Sequence, residues 1–220
     1  VARYLMTHSL LSSWLYLLES PFESEERNPL DEFMQVLRRE PTPTSDAMRK
    51  GIVFEDLVTA IAGGEQYFGH IPVDPKDPRA GMVPMDIRDH QWYSPAKEAA
   101  DIIRGGIIQY VAKRSAVVDG VDLLMYGRLD VLKAGSIFDI KFTSRYEAGK
   151  YFDSTQHPMY MFIVPEANSF SYLASNGSYL WQETYQREET GDILVTVSQF
   201  LTWLKAQGLD HIYYEKWEAK

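Results

Sequence analysis

Two short runs carry the chemistry of this sequence: Gly127-Arg128-Leu129-Asp130 and Asp139-Ile140-Lys141. Ala134-Gly135 between them reads as a two-residue hairpin turn. On that register Lys133 faces Ser136, Asp130 faces Asp139 and Arg128 faces Lys141. The other face pairs Leu129 with Ile140 and Val131 with Phe138. One face is apolar and the other carries four charges, as alternation in a half-buried hairpin demands. Cross-strand Cβ atoms stand about 4.5–5.5 Å apart. Two carboxylates at that distance repel unless one takes a proton or a cation sits between them. The chain contains no Cys, which removes disulfides, thiolate-bound zinc, iron–sulfur clusters and thiol nucleophiles together. An all-oxygen site suits Mg²⁺ or Mn²⁺, with Lys141 two residues on and on the same face. The plain alternative is an exposed hairpin with paired surface charges. Asp74-Pro75-Lys76 and Glu218-Ala219-Lys220 share the acid-x-Lys spacing, but the first holds Pro in a loop and the second ends the sequence.

The chain that must position these residues has 220 of them, enough for a real core. Hydrophobic residues make up 45% and aromatics 13%, which excludes an intrinsically disordered chain. Lys plus Arg number 22 against 31 Asp plus Glu, a formal charge of −9. That argues against a protein that simply coats nucleic acid, though not against an enzyme with a local basic groove. No apolar run approaches the roughly 20 residues of a membrane span. Leu10 to Leu18 is interrupted by Ser12 and Ser13 and precedes no small-residue cleavage site, so a signal peptide is not expected. The absence of Cys fits a cytoplasmic protein. The first residue is Val, which leaves the natural start open upstream.

The first 65 residues read as helical. Ser9 is the expected cap of a helix over Leu10–Leu18. Asn28-Pro29 opens a second, with Leu30, Phe33, Met34 and Leu37 on one stripe. After Pro41 and Pro43, Thr44 or Ser45 starts a third, carrying Met48, Ile52, Val53, Leu57, Val58 and Ile61 and stopped by Gly63-Gly64. Residues 65–93 predict a long irregular connection. Ser94-Pro95 opens a helix expected to reach about Lys113, with a weak spot at Gly105-Gly106. Period two then takes over: strands over Ser115–Val118, Val121–Lys133 and Ser136–Phe142, with turns at Asp119-Gly120 and Ala134-Gly135. A short helix is expected around Thr155–Val164, then a hairpin of Phe170–Ser175 and Ser178–Gln186 about Asn176-Gly177, then a helix over Ile193–Gln207 stopped by Gly208.

Asp130 followed by Asp139-Ile140-Lys141 resembles the signature of the PD-(D/E)XK nuclease superfamily. Two further pieces resemble its RecB-like branch: Gly51-Ile-Val-Phe-Glu55, and the Gln-x-x-x-Tyr run Gln156-His-Pro-Met-Tyr160. Met6-Thr-His-Ser-Leu-Leu-Ser-Ser-Trp14 loosely resembles the Ser-rich first helix of such proteins. The resemblance covers about residues 45–185. Leu129-Asp130 stands where Pro-Asp is common, and Asp139 where Glu is commoner. Branches that hold an iron–sulfur cluster through four Cys are excluded.

The resemblance implies a restriction-endonuclease-like α/β fold, a central mixed sheet flanked by helices. It implies one domain over 1–220, with the core at about 45–185, an N-terminal helical extension over 1–44 and a C-terminal helix and tail over 192–220. It also implies Mg²⁺- or Mn²⁺-dependent hydrolysis of DNA phosphodiester bonds, foremost as an exonuclease of recombination, repair or phage origin. In that reading Glu55, Asp130, Asp139 and the Ile140 carbonyl hold the metal. Lys141 orients and helps deprotonate the attacking water. Gln156 and Tyr160 contact the scissile phosphate or strand end, and Arg128 binds a phosphate or neutralises the carboxylates. DNA is the implied partner, with no membrane and no iron–sulfur cluster; some relatives form homo-oligomeric rings around DNA. Lys113, Arg114, Arg145 and Lys150 are candidates to rim a DNA groove.

Competing readings are an endonuclease of the same chemistry and an inactive member that binds DNA or protein. A carboxylate-pair glycosidase is more distant, because it leaves Lys141, Gln156 and Tyr160 without roles. Glu55 also reads as a solvated helix residue, and Gln156 and Tyr160 as ordinary helix residues. His8, His70, His90 and His211 are scattered and receive no role; His157 beside Pro158 reads as structural.

Overall fold

The computed structural model describes residues 3–20, 28–72 and 82–219. Asp74-Pro75-Lys76 and Lys220 lie outside the described residues.

Three antiparallel hairpins and one parallel crossover build most of the sheet. Strand β4 (Ile107–Val118) pairs antiparallel with β5 (Val121–Lys133) from Ile107↔Leu132 to Val118↔Val121. β5 turns into β6 (Ser136–Phe142) through Ala134 and Gly135, with φ of 49° and 77°. Asp119 and Gly120 turn β4 into β5 with φ of 51° and 79°. Both central residues of each turn are left-handed, the geometry whose twist matches the flanking strands. Helix α5 (Gln156–Ile163) then carries the chain across to β7 (Ser169–Ser175), which runs parallel to β6. β8 (Leu180–Gln186) returns antiparallel. β1 (Tyr4–Met6) lies parallel to β5 through Leu5↔Leu124. The result is a mixed six-stranded sheet, β1-β5-β6-β7-β8 with β4 along the outer side of β5.

Helices cover both faces. On one side lie α1 (His8–Glu19), α2 (Pro29–Leu37), α5, α6 (Ile193–Ala206) and α7 (Asp210–Lys216), packed on Leu123, Met125, Leu129, Ile137 and Phe170. On the other lie α3 (Asp46–Gly63) and α4 (Tyr93–Ile103), packed on Val131, Phe138, Ile140 and Leu173. Caps fix several helix starts. Asn28 accepts from the Leu30 and Asp31 N–H groups ahead of Pro29, and Ser45 accepts from the Met48 N–H. At α1 the cap is Thr7, whose Oγ1 accepts from the Leu10 N–H, and the expected cap Ser9 lies inside the helix. Along α2 and α3, Phe33, Leu37, Leu57, Val58 and Ile61 are buried as expected, while Leu30, Met48 and Ile52 are exposed.

Two expectations about the elements between 65 and 113 need correction. Residues 65–93 contain β2 (Tyr67–Pro72) and β3 (Met82–Asp86), an antiparallel pair with Tyr67↔Asp86 and Phe68↔Met85 in register. α4 ends at Ile103, not Lys113: Gly105 at φ 83° stops it, and 107–113 form the first half of β4. The C-terminal tail holds α7 and is rich in aromatic residues. Its Tyr213 hydroxyl donates to the Leu5 carbonyl at 2.9 Å, and Trp217 Nε1 donates to the Leu37 carbonyl at 2.8 Å. The outer edge of β1 is closed by the same segment: the Leu5 N–H donates to the Trp217 carbonyl and the Ala219 N–H to the Arg3 carbonyl, each at 2.7 Å.

Candidate functional site

The β5–β6 ladder is short. Lys133↔Ser136, Leu132↔Ile137 and Val131↔Phe138 pair on the expected register, and pairing stops there. Asp130 is not a backbone partner of Asp139. Its Oδ2 instead accepts a hydrogen bond from the Ile140 N–H at 2.8 Å. A side-chain carboxylate has taken the place of a strand carbonyl, so the strands part at Asp130.

The neighbouring strand bends at the same level. Gln109 lies between the pairs Ile108↔Val131 and Tyr110↔Leu129, in the place opposite Asp130, and its φ is 53°. That left-handed residue interrupts the ladder. The faces of β5 exchange across the bend. Leu129 joins the core beneath α1 and α5, whereas Val131 joins the core beneath α3 and α4. Ile140, the expected partner of Leu129, lies with Val131. Arg128 pairs with Val111 on β4, and on the β6 side the ladder ends at Val131↔Phe138, short of the expected Arg128–Lys141 pair.

Side chains from five elements converge on the gap. Asp139 on β6 is buried, 2% exposed. Its Oδ1 accepts from the Gln156 amide of α5, and its Oδ2 lies 2.8 Å from Lys141 Nζ. No donor is aligned on that buried Oδ2, so the Lys141 contact is one of charge more than of hydrogen bonding. Burial works against the Lys141 ammonium, but the charges of Asp139 and Asp130 outweigh it and hold its pKa above the ordinary lysine value. Burial, then the charges of Asp139 and Glu55, raise the Asp130 pKa well above the usual carboxylate range. Glu55 of α3 accepts from the Gln109 amide, and burial, followed by Asp139 and Asp56, raises its pKa too. Arg128 is exposed, and its charge acts on Glu55 in the opposite sense.

Gln156 and Tyr160 stand one turn apart on α5, both buried. The Tyr160 hydroxyl donates to the Arg128 carbonyl at 3.2 Å. Its ring lies on Gly127, where an added Cβ would meet Tyr160 Cε1 at 2.6 Å. Gly127 is therefore the gap in β5 that admits the tyrosine. Burial and the nearby carboxylates push the Tyr160 pKa up to about 12.

Two members of the site escape the sequence reading. The His8 ring meets Tyr160 edge-on at 5.3 Å, and burial followed by the Lys141 charge lowers its pKa to about 4. Its Nδ1 is buried without a hydrogen-bond partner. Thr155 fixes it there, donating to the His8 carbonyl at 3.1 Å while its hydroxyl meets that of Ser12 at 2.9 Å. The second is Gln109, through its bond to Glu55. His8 sits in the Ser-rich opening run, which was its signal; Gln109 had none.

The expected basic rim is dispersed. Arg114 donates to the Phe162 carbonyl and covers its ring, Lys150 donates to Thr143 and to the Arg145 carbonyl, and Arg145 lies 3.7 Å from Glu147. Lys113 stands on the outer sheet face over Tyr126.

Among the described residues no three His, Asp or Glu side chains close around a point as a metal shell would. The donor chemistry nonetheless fits a hard divalent cation. Three carboxylates and the carbonyl end of Ile140 supply only oxygen. The raised Asp130 and Glu55 pKa values and the unaligned Asp139 Oδ2 are signs of negative charge that Lys141 neutralises in part.

No protein-family model and no curated protein matches the sequence. Among solved structures, the crystal structure of SSO0001 matches 91% of this chain and 77% of its own, with a TM-score of 0.53 and 9% sequence identity. The chain is thus an α/β protein whose mixed central sheet, flanked by helices, has an overall course similar to that of SSO0001.

Proposed function

We propose that this chain has a restriction-endonuclease-like core and hydrolyses phosphodiester bonds of DNA with the help of Mg²⁺ or Mn²⁺, foremost as an exonuclease. The observation that carries the reading is the buried Asp139, held between Lys141 and Gln156 where the β5–β6 ladder opens, with Asp130 bound to the next residue's N–H. A paired surface hairpin has no reason to bury one carboxylate and press a second against it.

Glu55, Asp130, Asp139 and the Ile140 carbonyl are the groups that would hold the ion. When bound, such an ion acidifies water and stabilises charge on a phosphoryl oxygen. Lys141, projecting beside Asp139, orients the attacking water. Gln156 sets the Asp139 carboxylate and faces the phosphate with its remaining amide capacity. Tyr160 holds the Arg128 backbone in place, which leaves the exposed Arg128 guanidinium to take a neighbouring phosphate. The water oxygen bonds to phosphorus, the bond to one sugar oxygen breaks, and the water's proton passes to solvent while the leaving oxygen takes one up.

One gel tests this. Linear, covalently closed circular and single-stranded DNA are incubated with Mg²⁺, Mn²⁺ or EDTA, using the native sequence and Asp139→Ala. Metal-dependent loss of linear but not circular DNA, absent in the variant, is the expected result. Cleavage of circles makes the protein an endonuclease. Intact DNA in every lane, or cleavage undiminished in the variant, removes the hydrolytic reading.

A further inference from the structure

Among the described residues no helix covers the outer face of the β4–β5 hairpin. Leu123, Met125 and Leu129 point into the core beneath α1 and α5, so Leu124, Tyr126 and Arg128 face the other way. Their neighbours on β4 are Ser115, Lys113 and Val111. Val111 is 47% exposed there. Same-face residues along a strand stand about 6.8 Å apart. The face therefore forms a track that starts at Asp130, passes Arg128, then Tyr126 with Lys113, and reaches Leu124.

At Leu124 the track enters a cavity of 660 Å³ formed where β1 and the Lys216–Ala219 segment meet the sheet. That volume is in the range of a small-molecule site. Arg39 lines it and is held in place: its guanidinium lies 4.9 Å from the Trp217 ring and its Nη1 donates to the Lys216 carbonyl at 3.4 Å. Lys113 lines the same cavity, with its Nζ 5.7 Å from the Tyr126 ring. Among the described residues, Arg39, Lys113 and Arg128 have no carboxylate within ion-pair distance, in a chain whose net charge is −9. Lys216 lies 2.8 Å from Glu215, and Glu215 and Glu218 are the acidic residues of the same lining.

The geometry points to a binding track for a single strand of nucleic acid, running from the cavity of Arg39 and Lys113 along the outer β4–β5 face to Arg128 and the Asp130–Asp139 gap. It deepens the hydrolytic reading and rests on it for what happens at the inner end. A single row of cations matches a single row of phosphates, whereas a duplex presents two. Val111, Tyr126 and Leu124 between the cations offer apolar and aromatic surface to bases, the composition of single-strand sites. The reacting carboxylate is recessed, and a flexible strand can dip to it where a stiff duplex cannot.

Fluorescence anisotropy tests the track with a labelled single-stranded dT12 and a 12-base-pair duplex, in EDTA so that nothing is cleaved. The chain is expected to bind dT12 more tightly than the duplex. Arg39→Ala/Lys113→Ala is expected to weaken dT12 binding at least about tenfold and to lower the salt slope by about 1.4, two contacts at about 0.7 each for a single strand. Lys97→Ala/Arg104→Ala on α4 removes the same charge elsewhere and is expected to change little. Lys113→Glu, a single change at an exposed residue, serves as a second variant and is expected to weaken binding further than Lys113→Ala. Tighter duplex binding, or equal loss in the α4 variant, overturns the track. Binding of dT12 through these residues by a chain that cleaves nothing overturns the hydrolytic reading alone. Cleavage by a chain whose dT12 binding ignores Arg39 and Lys113 overturns the track alone.

Discussion

The Asp130 carboxylate accepts the Ile140 N–H at 2.8 Å, at the level where the β5–β6 backbone ladder ends. This one bond does two things. It satisfies a strand N–H that has lost its carbonyl partner, and it holds a carboxylate at the mouth of the gap beside Asp139. The charge is not needed for the first task, because an amide oxygen accepts equally well.

Asp130→Asn is therefore expected to keep or raise stability while abolishing metal-dependent cleavage. Burial and the charges of Asp139 and Glu55 disfavour the Asp130 carboxylate, so a neutral isostere relieves repulsion. Asp130→Ala leaves the Ile140 N–H without an acceptor and should cost about 1–3 kcal/mol. Thermal melts of the two variants beside a nuclease assay separate the roles. A lower melting temperature for Asn than for Ala would contradict the assignment.

Lys141 and Asp139 form a pair whose halves are not equivalent. The Asp139 side chain is 4% exposed and that of Lys141 34%. Lys141→Met should abolish cleavage and also destabilise by about 2 kcal/mol, less than the 3–5 of a fully buried pair because part of the lysine meets solvent. Adding Asp139→Asn to Lys141→Met should restore most of that loss, since the stranded charge is gone. Urea melts of both single variants and the double variant measure the coupling, and strictly additive effects would rule out the pair.

Gly127→Ala is expected to behave as a site mutation although glycine carries no chemistry. The new methyl would meet the Tyr160 ring at 2.6 Å, so the ring must move away from the Arg128 carbonyl. The cost should be about 1–3 kcal/mol, as for overpacking generally. Combining it with Tyr160→Leu should recover stability but not activity. A Gly127→Ala protein with unchanged melting temperature would show that the strand yields instead.

His157 gives the fold a predictable acid limit. It is 4% exposed, stacked on Tyr185 at 4.3 Å, and burial lowers its pKa from 6.5 to about 4, against the weaker pull of Glu183. Between those values the unfolded chain binds a proton that the folded chain refuses. The corresponding stability is complete above pH 6.5 and is lost as pH falls through about 4, a change of order 3 kcal/mol. His8 shifts in the same direction. His157→Phe should flatten the fall of melting temperature between pH 7 and pH 4.5, and parallel curves for the two proteins would remove this account.

The sequence is legible where pattern is local. β5, β6 and their turns follow from alternation about Asp119-Gly120 and Ala134-Gly135, and each spans the expected residues. The end of β4 over 115–118 was legible, but its first half was not, because it is an outer strand: Ile107 and Val111 are exposed on it, so its alternation carries no inside–outside contrast, and the helical stripe of α4 reads on through it. Gly105 was the available stop signal. Among the site residues, Asp130, Asp139, Lys141, Gln156 and Tyr160 declare themselves by type and spacing within one stretch. Gln109 and His8 do not, because they join Glu55 and Tyr160 across long stretches of chain. The opening of the β5–β6 ladder was equally hidden. Hairpin register extrapolates a regular strand, and the left-handed Gln109 that bends its neighbour is no glycine or asparagine.

The clasp of Arg3 and Leu5 by Trp217 and Ala219 has a consequence for biosynthesis. β1 leads directly into α1, the helix that brings His8 against Tyr160. During translation β1 must wait for these partners at positions 213–219 to emerge, so the gap beside Asp139 acquires its full lining only once that segment has been made. A chain cut short before Tyr213 would hold the acidic hairpin with the His8 side of the gap unsecured.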